Sequence, residues 1–341
     1  MDKTLDIIGI GAANMDIIAR VDTFPESDDQ VPITSLKYAP GGSVANTIVG
    51  ITKLGLKTGF LGRVGHDHNG EELENAFKDV GVDTEGIIID TSLPSGQVFI
   101  PVDKNGERMI FSFPGAPQSL KKEDIRAKMS FLRKALVIHL GSLRVTEPLT
   151  EAAQLSKKLD CIVSMNPGSM NAARGYLGLK NILDNVDLLV VSRREFDKMF
   201  GFADIERNAK LCFDKTAVQL VVVTLGPRGA KYFIRGQSSE IEPIFPVPVV
   251  NTTGAGDGFA AGFMAKLFKP FKEWLGSQQK KEHTYKDLFQ EFLKTKSETP
   301  DFFMECLRYG NATAAFVVQG ESPRANLPTL DMVTKFIQAN K

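Results

Sequence analysis

Six short apolar runs, at residues 7–10, 59–61, 136–140, 161–165, 188–191 and 220–224, limit the fold more than any other feature of the chain. They are too short for helices and too continuous for strands with one wet face, which is the pattern of parallel strands covered on both sides. Stretches with helical spacing lie between them, at 44–54, 70–80, 147–159 and 195–200. Alternation of the two predicts an α/β fold, a doubly wound and mostly parallel sheet with crossovers. The chain has 341 residues, 43% of them hydrophobic. A chain of that length buries ~75% of its unfolded surface, so one main domain over the whole chain has core enough without staples.

Two stretches break the rhythm. Residues 17–21 with 31–38, and 97–102 with 108–113, alternate apolar and polar side chains. The second pair is joined by Asp103-Lys104-Asn105-Gly106, whose Asn-Gly step is a hairpin signal. These pieces do not belong in a buried parallel sheet. They predict a small antiparallel β-sheet projecting from one edge, built from about 16–40 and 95–115 and placed as a lid beside a ligand crevice. The other irregularity is 268–303, rich in Lys, Glu and Gln and holding the only tryptophan, Trp274. It predicts a surface insertion of one or two amphipathic helices.

Lys and Arg together number 41, and so do Asp and Glu. Without a net field to gather phosphate backbones, nucleic acid is not expected as the main partner, and a small molecule is. Cys161, Cys212 and Cys306 are odd in number and widely spaced, which predicts buried thiols and neither a zinc site nor a disulfide framework. No basic stretch leads into a long apolar one at the start, and no apolar run approaches the ~20 residues of a bilayer span. The expectation is a cytoplasmic protein with no membrane contact.

The residues that carry chemistry begin with Gly254-Ala255-Gly256-Asp257, which leads into an apolar helical stretch. Small residues let the backbone approach a ligand, and N–H groups at a helix start aim the positive end of its dipole at an anion. Asp257, just inside that anion hole, is placed to accept a proton from a hydroxyl attacking a phosphoryl group. A second glycine pair, Gly41-Gly42, precedes another helix and is followed by Ser43 and Asn46, whose amide suits polyol hydroxyls. Gly9-Ile10-Gly11 follows the first strand, but Asn14 stands where a dinucleotide fingerprint needs its third glycine. That disfavours a dehydrogenase. Asn14 and Asp16 alternate on an extended segment and face the same way, a carboxylate and an amide for adjacent hydroxyls.

In this order and spacing, Gly41-Gly42-Ser43-x-x-Asn46, Thr224-x-Gly226 and Gly254-Ala255-Gly256-Asp257 resemble the ribokinase-like (PfkB) family of carbohydrate and nucleoside kinases, from Asp6 to about Leu330. The resemblance implies that Asp257 is the catalytic base and that Gly254, Ala255 and Gly256 hold the transferring phosphoryl. It makes Asn14, Asp16, Gly41, Gly42 and Asn46 the acceptor-binding set. Thr224, Gly226 and Gly229 match the nucleotide-binding turn, Ser192 lies beside it, and Asn311 falls where a residue approaches the adenine. ATP and Mg²⁺ are implied, with Glu195 holding the metal through water. Two positions depart from the family pattern. Ser192 replaces the usual Asn of Asn-x-x-Glu, and Asn251 replaces an Asp that often serves a monovalent cation, which puts potassium activation in doubt.

Gly-Gly-Ser-x-x-Asn and the tail from Gly310 to Thr329 look most like adenosine-kinase-like members, which favours phosphorylation of the 5′-type hydroxyl of a ribonucleoside such as adenosine. A free sugar such as ribose or fructose is the alternative, and a non-catalytic sugar or nucleoside sensor is an alternative of another class. Phe99, Phe111 and Phe113 are placed either to stack on a base or to pack the lid on the main sheet. His139, inside an apolar run, reads as an interior histidine. His66 and His68 flank Asp67 in a loop before a helix and lack further metal ligands. The family also implies a homodimer through the lid.

Overall fold

Strand and helix alternate along most of the chain, and Ser192 both ends one apolar run and caps the helix that follows it. The structure, a computed structural model, describes residues 3–278, 283–299 and 301–340. Thirteen strands occur among the described residues: β1 Leu5–Ile10, β2 Asn14–Val21, β3 Ile33–Gly41, β4 Thr58–Gly65, β5 Asp83–Asp90, β6 Gly96–Val102, β7 Phe111–Phe113, β8 Ala135–Leu140, β9 Ile162–Met165, β10 Leu188–Ser192, β11 Leu220–Thr224, β12 Ala230–Ile234 and β13 Gln237–Ser238. Nine form one sheet in the order β13-β12-β11-β10-β9-β8-β1-β4-β5. Its members are parallel from β11 to β5, while β12 and β13 add antiparallel.

Neighbouring residues of one strand feed different cores. Ile7, Val137, Leu188, Val190 and Val222 pack with the helices Ser43–Lys53, Ala255–Ser277 and Asp301–Val318. Ile8, Ile138, Leu189, Val191 and Val221 pack with Glu147–Leu159, Arg193–Phe200 and Ile205–Lys215. A sheet buried on both faces is what the continuous apolar runs dictate. The chain leaves β1 towards β4 on one side and returns through β8 on the other, so a crevice opens beyond the C-terminal ends of these central strands.

The small sheet runs β3-β2-β6-β7. Each of its two hairpins is antiparallel, as the alternating patterns predict, and the Asn105-Gly106 turn lies between β6 and β7, with Gly106 at φ 81°. The two hairpins join through a parallel pairing of β2 with β6, so the sheet is mixed. Its attachment is braced by two aspartates. Asp67 caps the helix His68–Lys78 and accepts hydrogen bonds from the Ser95 N–H and hydroxyl. Asp90 is held well below the usual carboxylate range because the hydroxyls and N–H groups of Ser92, Ser119 and Leu93 outweigh its burial; it also pairs with Arg63.

Residues 268–303 contribute to helices that each have a buried apolar face. The helix Ala255–Ser277 continues through the first part, and Tyr285–Ser297 packs beside it. Phe268, Phe271, Phe289, Phe292 and Phe303 are fully buried, and Trp274 stacks on Phe271 with ring centroids 6.1 Å apart. The helices are amphipathic as expected, and among the described residues Lys272 and Lys286 reach from them to the buried Asp6 and Asp187; residues 279–282 and 300 lie outside the described residues. Cys161, Cys212 and Cys306 are buried and free. Among the described residues, no helix is long and apolar enough to cross a membrane.

Candidate active site

Gly254 starts the site. It lies at φ 82°, a left-handed conformation that glycine adopts without strain, and turns the chain into the helix Ala255–Ser277. The first N–H groups of that 23-residue helix have no partner within the helix, and that of Ala255 donates to the Thr252 carbonyl at 3.3 Å. A Cβ on Gly256 would meet nothing within 4 Å, so the space beside the helix start is open.

One turn further in, Asp257 is gripped by the facing helix Ser43–Lys53. Its Oδ1 accepts a hydrogen bond from Ser43 Oγ at 2.6 Å and its Oδ2 one from Asn46 Nδ2 at 2.9 Å. Thr47 Oγ1 donates to the Asp257 carbonyl at 3.4 Å. Loss of hydration pushes the Asp257 carboxyl up to about 6, with Glu195 adding to the rise, while Ser43, Asn46 and Arg324 oppose it. Asp16 is 5% exposed, and burial pushes it up to about 7 against the opposing charge of Arg324, with Asp257 adding.

The backbone around Asp16 has no room for side chains. A Cβ on Gly41 would overlap the Asp16 carboxylate, and one on Gly42, at φ 97°, would overlap the Ala12 carbonyl. Asn14 pairs in register with Gly41 and lies against Gly96. The residues expected to form an acceptor set, Asn14, Asp16, Gly41, Gly42 and Asn46, therefore come together beside Asp257. Gly9 and Gly11 have a packing role, because side chains there would collide with Val44 and Ile48.

On the other side of the crevice, Ser192 and Glu195 form a capping box: the Glu195 N–H donates to Ser192 Oγ at 3.3 Å and the Ser192 N–H to Glu195 Oε2 at 2.8 Å. Ser192 pairs with Thr224 on the neighbouring strand. Gly226 and Gly229, at φ 61° and 105°, turn the chain from β11 to β12, and a Cβ on Gly229 would overlap the Glu242 carbonyl. Asn311 lies against the same segment. Its Nδ2 donates to the carbonyls of Glu242 and Pro243, each at 2.9 Å, so its donors secure backbone. Among the described residues no group of three or more His, Cys, Asp or Glu is arranged around a metal. A single carboxylate with one oxygen outside the capping box fits Mg²⁺, which keeps waters and takes its other ligands from phosphates.

Sequence reasoning missed two arginines. Arg324 Nε donates to Asn46 Oδ1 at 2.8 Å and its Nη2 to the Gly41 carbonyl at 3.1 Å. Arg108, after the Asn-Gly turn, donates to Asn251 Oδ1 at 3.1 Å and to Thr253 Oγ1. Asn251 also accepts from the Thr253 N–H and donates to the Glu321 carbonyl, so its amide is engaged within the protein. The three phenylalanines depart from both expectations. Phe99 and Phe111 share the strand face of Ile17, and Phe113 that of Met15, which is opposite to Asp16; Phe111 and Phe113 are exposed.

A doubly wound sheet, a helix start aimed into the crevice beyond its strands and a carboxylate held there define a phosphotransferase with an alcohol group as acceptor. The chain belongs to the pfkB family of carbohydrate kinases, whose model matches residues 4–330. It is 32% identical over 253 residues to a probable fructokinase-5 of Arabidopsis thaliana, covering 69% of this chain and 76% of that one. It is 27% identical over 351 residues to a 5-dehydro-2-deoxygluconokinase of Geobacillus thermodenitrificans, covering 98% and 94%. The fold is shared with a ribokinase of Giardia lamblia, with a TM-score of 0.83, 21% identity and coverage of 99% and 100%.

Proposed function

We propose that the protein transfers the γ-phosphoryl group of ATP to a primary hydroxyl of a small polyol, a free sugar of the ribose or fructose class. The placement of Asp257 carries the reading: a carboxylate pushed up to about 6 lies one turn inside an open helix N-terminus and beside a second buried carboxylate, Asp16. In this reading Asp257 is the general base. It takes the proton of the acceptor hydroxyl as that oxygen bonds to the γ-phosphorus, and the bond from phosphorus to the bridging oxygen of ADP breaks. The N–H groups of Gly254, Ala255 and Gly256 stabilise charge on the equatorial oxygens. Asn14, Asp16, Gly41, Gly42 and Asn46 bind the acceptor. Thr224, Gly226 and Gly229 border the nucleotide, with Ser192 and Asn311 supporting that edge. Glu195 is the carboxylate that would hold Mg²⁺ through water, and the ion would supply neutralisation of phosphate charge.

One kinase domain spans the chain in this reading, and the small sheet is its lid. A free sugar is favoured over a nucleoside because the three lid phenylalanines face away from Asp16 and offer a base no platform, and because relatives are named as sugar kinases. The nucleoside reading rests on the Gly-Gly-Ser-x-x-Asn motif and the tail, and the structure adds one observation in its favour: a cavity of about 220 Å³, lined in part by Ile18, Arg20, Ser35 and Lys37, continues along the Asp16 face. The exposed phenylalanine face fits a second copy of the chain.

The test is acceptor-dependent ADP release with ribose, fructose and adenosine. Asp257→Asn is expected to lower turnover ~10²–10⁴-fold, as loss of a general base does, with ATP affinity retained. Undiminished turnover in that variant refutes the base. Release with none of the acceptors favours the sensor.

A further inference from the structure

We propose that Arg324 is a positioning residue for the transfer step, acting on Asp257 through Asn46. The inference rests on the reading of Asp257 as the base and assigns a role to a residue outside the motifs that support it.

An asparagine amide can present either its oxygen or its nitrogen to a neighbour. At Asn46 the choice is made by Arg324, because the guanidinium Nε–H occupies Oδ1 at 2.8 Å and leaves Nδ2 to donate to Asp257 Oδ2 at 2.9 Å. With the amide reversed, its oxygen would face a carboxylate. The guanidinium plane is itself fixed. Nη2 donates to the carbonyl of Gly41, and the group lies 5.4 Å from the ring centroid of the fully buried Phe77. Pro323 packs on Gly254, so the arginine is carried on the same loop that buttresses the anion hole. Nη1 is buried and has no hydrogen-bond partner among the described residues. A guanidinium bound only to an amide and a carbonyl retains its charge for the crevice.

That charge faces two carboxylates, Asp16 from β2 and Asp257 from the helix Ala255–Ser277, and favours the ionised form of both; Glu195, from the helix after β10, acts on Asp257 in the opposite sense. Arg324 makes no ion pair within 4 Å with either aspartate, so its electrical influence can be separated from its hydrogen bonds by substitution. Lysine keeps the charge and loses the planar fork, while glutamine keeps a donor and loses the charge.

The experiment measures kcat, acceptor KM and the acidic limb of the pH profile for wild type, R324K, R324Q and D257N, with thermal unfolding as a control. R324Q is expected to lower kcat ~10²-fold, as misplacement of a reacting group does. Its acidic limb is expected to move up by about one pH unit, the effect of removing a neighbouring opposite charge. R324K is expected to keep the wild-type limb and recover only part of kcat. A folded R324Q with wild-type kcat and limb overturns the proposal, and so does R324K at full wild-type kcat if R324Q does not fold. D257N separates the two readings: if it keeps full turnover, the base assignment itself has failed, whereas an inactive D257N beside an unaltered R324Q removes only the role of Arg324.

Discussion

Asp257 and Asp16 are the two carboxylates of the site whose environment works against their charge, and pH is the way to address them. Both are raised, to about 6 and about 7, by loss of hydration. Because they influence each other, the profile reports apparent values of the pair. The base must be ionised to act, so kcat/KM is expected to climb as pH rises through 6 to 7 and to fall about tenfold for each unit below that range. The effect on stability has the opposite direction. A raised carboxyl binds its proton more tightly in the folded protein than in the unfolded chain, so its contribution is most favourable at low pH and is lost as pH rises from about 4 through 6. Asp257→Asn is therefore expected to unfold at a higher temperature than wild type at pH 8, with the difference vanishing below about pH 4. A thermal scan at the two pH values checks it, and equal melting temperatures at pH 8 would show that the carboxylate is well solvated. Asp257 and Asn46 are legible in the sequence because a short glycine motif precedes each, and Asp16 because it alternates with Asn14 on an extended segment. Arg324 is not, because its partners Gly41 and Asn46 lie at the other end of the chain and only tertiary packing brings them within reach.

The long helix Ala255–Ser277 combines two tasks that the sequence presents as separate. Its start carries Asp257, and its end carries Phe268, Phe271 and Trp274, the anchor for Tyr285–Ser297. Phe271 contacts Phe289 and Phe292 edge-on with centroids 5.3 and 5.1 Å apart and is fully buried. Phe271→Ala is expected to cost ~3–5 kcal/mol of stability, the usual effect of emptying an aromatic site in a core. Fourteen residues of helix place it about 21 Å from Asp257 at 1.5 Å per residue, so kcat of the folded variant is expected to stay within twofold of wild type. Denaturant unfolding and turnover at one temperature check both halves. The parallel strands were readable because burial on both faces leaves an uninterrupted apolar run, as at residues 220–224. The aromatic cluster is less legible because lysines and glutamates separate its rings in sequence, and a composition count does not see that the rings fall on one face. The parallel pairing of β2 with β6 is hidden for a similar reason: local alternation specifies each hairpin but says nothing about which strands of two hairpins meet.

At the scale of the whole molecule, the small sheet has the smallest core. It has two edge strands, β3 and β7, and its own buried cluster consists of Ile18, Ile100 and Val102. One face turns Asp16 towards the crevice, and the other presents Tyr38, Phe111 and Phe113, 62%, 57% and 50% exposed, with Ile33 and Leu36 beside them on the edge strand. A contiguous apolar face of this kind on a thin sheet favours association with a like surface, which would also stiffen the sheet over the acceptor. The chain is accordingly expected to sediment with twice its own mass at micromolar concentration. The double variant Tyr38→Glu with Phe111→Glu puts like charges on that face and is expected to be a monomer. Because the altered side chains point away from Asp16, ATP affinity and the pH limb are expected to remain as in wild type, while the acceptor KM rises as the unsupported sheet closes less often. Wild-type protein that sediments as a monomer would refute the dimer. A monomeric variant with unchanged acceptor KM would show that the sheet holds its shape without a partner, and that the three residues of its own core, with the Asp67 and Asp90 braces at its base, are enough.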